Sequence, residues 1–96
     1  MLSAAAPPSG VDVIVNNNNA SATSEIVTLS LAATNADECR YINEGESWST
    51  WEAYATTKNW VLTDGAGTKT VYYQCRNEFG ELNTDGGDYD TILAQI

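Results

Sequence analysis

The chain has 96 residues, with 13 Asp or Glu against 4 Lys or Arg, no histidine, and a formal charge of −9. That length fits one domain, and three Trp, five Tyr and one Phe give enough large apolar surface for a packed core, which argues against global disorder. Without imidazole there is no His general base, Ser-His-Asp triad, Cys-His pair or mixed Cys/His zinc site, and four scattered cations on an acidic chain make nucleic acid an improbable partner.

Residues 1 to 10 are rich in small residues, prolines and glycine and are expected to form a flexible leader or linker remnant, with the domain spanning 11 to 96. Val11, Val13 and Val15 then alternate on one face of a first strand, which ends at Asn16-Asn17-Asn18-Asn19, side chains suited to a turn at positive φ. The segment 25–31 places Val27, Leu29 and Leu31 on one side and Thr28 and Ser30 on the other, the pattern of a half-buried antiparallel strand. The segment 38–42 puts Cys39 and Tyr41 on the face opposite Glu38, Arg40 and Ile42, and Asn43-Glu44-Gly45-Glu46 reads as the turn that closes it.

Residues 48–54 are aromatic but irregular, and a short edge strand or loop is expected there. The next strand, 59–63, has Trp60 and Leu62 inward, and Asp64-Gly65-Ala66-Gly67 is a tight connection that needs glycine's freedom. Neither this turn nor Glu44-Gly45-Glu46 feeds a helix, so neither suits a phosphate. The segment 69–76 turns Val71, Tyr73 and Cys75 inward, and a last strand over 89–96 is expected to bury Ile92, Ala94 and Ile96. Seven period-2 segments with turn signals about every ten residues, and no sustained 3.6 period, predict an all-β sandwich or small barrel, with a sandwich of about seven antiparallel strands in two sheets as the leading architecture. No apolar window approaches the ~18 residues of a membrane-spanning helix, so no membrane insertion is expected.

Cys39 and Cys75 belong to no CxxC element, which leaves a disulfide or two buried thiols. Both have inward parity, and in a sandwich of this strand order the third and sixth predicted strands are neighbours, so the sulfurs could meet across the ladder. A bridge would agree with export, as does a composition rich in Thr, Asn, Ser and Gly. Asp85, Asp88 and Asp90 lie close together in a glycine-rich stretch, either weak Ca²⁺ ligands or a solvated acidic turn, and no other cofactor is indicated. Trp48, Trp51 and Tyr54 could close the end of the core or form a sugar-stacking surface. Asn19-Ala20-Ser21 has the spacing of a glycosylation acceptor. A filled 96-residue sandwich leaves little room for a carboxylate-lined cleft, so no enzyme is expected.

The segments 26–36, 39–45, 48–55 and 60–72 carry a likeness, above all Trp48-Ser49-Thr50-Trp51-Glu52-Ala53-Tyr54 and the stretch from Asp64 to Tyr72. The chain resembles the bacterial and archaeal Ig-like (fibronectin III-like) tandem repeats of cell-surface and secreted proteins, over residues 11 to 96. The resemblance implies an extracellular or cell-surface sandwich serving as a non-catalytic spacer or stalk, with neighbouring domains of the same polypeptide as its partners. Cys39 and Cys75 stand where such repeats usually carry apolar or aromatic residues, and Asn77-Glu78-Phe79-Gly80 replaces a turn commonly written Asp-x-x-Gly-Asn. The other functions open to such a module are adhesion, by binding glycan or protein, and filament assembly through strand addition by the leader.

Overall fold

The computed structural model describes residues 7–78, 82 and 87–96. It is an all-β sandwich with, among the described residues, eight strands: β1 (Ser9–Val15), β2 (Ser21–Ala22), β3 (Ile26–Thr34), β4 (Glu38–Asn43), β5 (Glu52–Ala53), β6 (Thr57–Val61), β7 (Gly67–Arg76) and β8 (Asp88–Ala94). One sheet has the order β1-β3-β6 and the other β2-β8-β7-β4-β5. All pairings are antiparallel except β2 with β8, so the larger sheet is mixed rather than wholly antiparallel as expected. β2 carries no sequence signal, because two residues cannot display an alternation.

The alternating sets meet in one interior. Val11, Val13, Val15, Val27, Leu29 and Leu31 face Cys39, Tyr41, Val71, Tyr73, Cys75 and Ile92, all buried, as the period-2 pattern requires. Tyr41 and Tyr73 stack at the centre, with ring centroids 5.3 Å apart. Burial, and next the Glu52 carboxylate, push the Tyr41 hydroxyl up to about 12. Desolvation followed by the neighbouring tyrosines raises Tyr73 as well.

Several boundaries differ from expectation. β1 begins at Ser9 and Pro8 is fully buried, so the ordered domain extends into the stretch 1–10 read as a leader. A register shift between Ser9 and Asp12 absorbs one extra residue, and Gly10 (φ +60°) supplies the conformation it needs. β6 lies two residues earlier than 59–63, with Leu62 buried just beyond its end. The 62–66 connection is no hairpin: it carries the chain from the three-stranded sheet to the five-stranded one. Ile96 is 40% exposed rather than inward, because the ladder ends at Ala94 and only the Gln95 N–H, donating to the Ala22 carbonyl, continues it. Asn16, Asn17 and Asn18 form a turn entirely at positive φ, the role foreseen for them.

Candidate functional site

Three groups of side chains stand out: a bridged pair in the core, two polar seams where the sheets' edges meet, and an aromatic and cationic surface on the larger sheet. The bridge follows from register. Cys39 lies directly opposite Cys75 in the β4–β7 ladder, and the two form a disulfide with their Cα atoms 4.0 Å apart. The Tyr41 N–H donates to Ser49 Oγ and the Tyr41 carbonyl accepts from the Ser49 N–H, on the side away from β7. Tyr41–Tyr73 and, two residues along, Cys39–Cys75 are therefore narrow pairs without mutual backbone bonds, which bring side chains closest. The Tyr73 hydroxyl donates to Cys39 Sγ at 3.1 Å.

Each seam is closed by side chains rather than by a strand. On one side β8 sends Asp88 and Asp90 to the free edge of β1, where their Oδ2 atoms accept the Val13 and Val15 N–H groups, both at 2.9 Å. Two of the three residues considered for Ca²⁺ thus serve as caps for backbone donors, and the third, Asp85, lies outside the described residues. Among the described residues, no three Asp, Glu, Cys or His converge in a geometry that could hold a metal ion.

Asp12 stands beside Asp88, and its carboxyl is held above the ordinary carboxylate range, first by partial desolvation, then by the hydrogen bond to Asp88 and repulsion from Asp88 and Asp90. The folded chain therefore binds this proton more readily than the unfolded chain. That stabilisation is present at low pH and lost as pH rises through the folded value. Asp12→Asn should melt higher than the parent at pH 7, and the two should coincide at pH 3. Because Asp12 is exposed, the gain should stay below the ~4 °C that 1 kcal/mol gives a domain of this size. Paired thermal melts at the two pH values check this.

On the opposite seam the buried Asn43, the last residue of β4, bridges to β6. Its Nδ2 donates to the Val61 carbonyl and to Glu46 Oε1, both at 2.9 Å, and its Oδ1 accepts the Trp60 indole N–H at 2.7 Å. Because an indole N–H can only donate, the amide orientation is fixed. Lys58 on β6 adds an ion pair with Glu52 of β5 at 2.8 Å. Asn43, expected in a turn, is the last residue of β4, and the inward parity it shares with Cys39 and Tyr41 marks it as such.

The outer face of the larger sheet holds the third group. Trp48 and Trp51 are three residues apart, a spacing that in a regular strand would send them to opposite faces. Ser49 is paired with Tyr41 and Glu52 with Cys39, so the step from Ser49 to Glu52 is one residue longer than the step it opposes on β4. This bulge turns both rings outward. The Arg40 guanidinium carbon lies 4.6 Å from the ring centroids of both Trp48 and Trp51, and that of Arg76 lies 4.3 Å from Trp51.

Cation–π attraction thus joins Trp48, Arg40, Trp51 and Arg76 into one stack. Arg76 Nε and Nη2 both donate to Glu38 Oε1, at 3.0 and 2.7 Å. Arg40 Nε and Nη2 donate to Gln74 Oε1, at 2.9 and 2.6 Å. Further across the sheet Tyr72 and Tyr89 lie with centroids 5.8 Å apart.

The structure therefore brings two of the three expected stacking residues together and leaves out the third. Tyr54, directly after β5, packs against the core at the pole where β3 passes to β4, where it lines a cavity of about 430 Å³ with Ala33, Ala36, Asp37 and Asn77. Arg40, Arg76, Tyr72 and Tyr89 were missed as site residues because only strand pairing makes them neighbours. Compared with protein-family models, curated proteins and solved structures, the chain matches none.

Proposed function

We propose that this domain is a non-catalytic spacer within a longer extracellular or cell-surface polypeptide, an Ig-like (fibronectin III-like) sandwich linked head to tail to its neighbours. The observation that carries this reading is the polarity of β1 and β8. β1 starts beside Thr34, at the pole that also holds Arg76 and the start of β4. β8 ends beside Gly67 and Ala22, at the other pole. A chain that comes in at one pole and leaves at the other adds its full length to whatever it joins, whereas termini at a shared pole would fold it back.

Three further features support the reading. The disulfide suits an oxidising compartment. The acidic surface keeps closely spaced modules soluble and apart. The two seams are sealed by Asp88, Asp90 and Asn43, which occupy backbone groups that an added strand would need. That favours a self-contained module over a filament subunit completed by a neighbour's leader.

Two and three copies joined in series should test it by small-angle scattering. The maximum dimension should grow with each copy by at least the ~34 Å that the ten residues of β7 span. A three-copy chain no longer than the two-copy chain would overturn the proposal.

A further inference from the structure

The outer face of the five-stranded sheet differs in charge from the rest of the molecule. Its outward positions on β4 are Glu38, Arg40 and Ile42, on β7 Thr68, Thr70, Tyr72, Gln74 and Arg76, and on β8 Tyr89, Thr91 and Leu93. Among the described residues, Glu38 is the one acid at these positions, in a chain with 13 acidic residues, and both arginines of the protein are here. Glu38 is spent on Arg76. Arg40 has no carboxylate partner among the described residues, and its two hydrogen bonds go to the neutral amide of Gln74. A guanidinium has five N–H donors, so the Arg40 fork retains donors and an uncompensated charge. The two tryptophans and Gln74 fix its plane, which lowers the ordering cost of binding.

Rings flank this charge. Trp48 is 38% and Tyr89 62% exposed, with Trp51 and Tyr72 half-buried between them. They extend over about three strand spacings, roughly 14 Å, on one side of the sheet. Their neighbours Thr70, Gln74 and Thr91 offer hydroxyl and amide groups. Trp51 is covered by Arg40 and Arg76, so the rings open to a ligand are those of Trp48, Tyr72 and Tyr89, and flat rings interspersed with hydroxyls and amides suit a sugar chain, whose rings have apolar faces to stack and hydroxyls to bond. A cation fixed among them suits a carboxylate on that chain. An acidic peptide would use the charge and leave the ring faces idle.

We propose that the outer face of the five-stranded sheet, centred on Arg40 between Trp48 and Trp51 and extending to Tyr72 and Tyr89, binds an acidic glycan through its uronate carboxylates and sugar faces. The spacer reading is not needed for this, since a lone module would bind as well. Affinity electrophoresis of the folded protein in gels containing polygalacturonate tests it, with a neutral glucan and poly-glutamate as comparisons. Polygalacturonate should retard the protein, and the neutral glucan should not.

Arg40→Gln should weaken that retardation about tenfold, the loss of one charge-assisted contact. Tyr89→Ala, at an exposed position, should weaken it severalfold while lowering the thermal melt by no more than the few degrees that the ring contact with Tyr72 contributes. Absence of retardation by polygalacturonate overturns the proposal, as does equal retardation by the neutral glucan. Equal retardation by poly-glutamate with no effect of Tyr89→Ala assigns the face to acidic peptides and equally overturns it. Should Arg40→Gln unfold, Tyr89→Ala alone decides between these outcomes.

Discussion

Replacing Cys39 and Cys75 together by alanine should lower the free energy of unfolding by about 4 kcal/mol, the chain-entropy value for a loop of this length. The bond closes a loop of 36 positions that contains β5, β6 and most of β4 and β7, so without it the unfolded ensemble expands. The melting temperature should fall on the order of 20 °C, and the urea m-value should rise because the unfolded chain is no longer looped. Both sulfurs are buried, so reductant should act only on molecules that have opened, and intact protein should resist it in native buffer. A loss below about 1 kcal/mol in urea titration would show that the bridge contributes little beyond the packing around it.

Asn43→Ala should cost about 1–3 kcal/mol, because it strands the Trp60 N–H and the Val61 carbonyl at a partly buried seam while removing two donors and an acceptor. The cost arises from the partners left behind, since alanine itself fits a buried position. Asn43→Asp separates the contributions. It keeps an acceptor for Trp60, loses the bond to Val61, and sets a second carboxylate against Glu46, so its penalty should be larger at pH 7 than at pH 4. Denaturant titration gives both values, and a red shift in tryptophan emission should accompany Asn43→Ala as water reaches the indole. If Asn43→Ala were as stable as the parent, β6 would not be held to β4 through this amide.

The two losses have different origins. The disulfide acts mainly on the unfolded chain, by restricting what it can sample, whereas Asn43 acts on the folded one, by supplying partners to groups that the seam partly shields from water. They lie on the same strand but share no partner, so a variant lacking both should show nearly additive losses.

Period-2 alternation is local, and wherever a face is wholly buried it can be read directly. Val11, Val13 and Val15, Val27, Leu29 and Leu31, Cys39 and Tyr41, and Val71, Tyr73 and Cys75 all point inward as their spacing demands. The all-β sandwich and the meeting of the two cysteines follow from that parity together with strand order. Ile96 did not obey it, because alternation carries no mark of where a ladder loses its partner.

The seams and the outer face belong to tertiary structure alone. Asp88 and Asp90 read as a loop or an ion site until β1 lies alongside β8 with unpaired N–H groups. Asn43 reads as a turn until β6 comes within reach. Trp48 and Trp51 are three apart, and only a bulge, defined by what β4 offers opposite them, turns both rings onto Arg40. Whether a side chain points inward is written in its immediate neighbours, but what it touches is decided by residues tens of positions away, whose arrival depends on the whole fold closing.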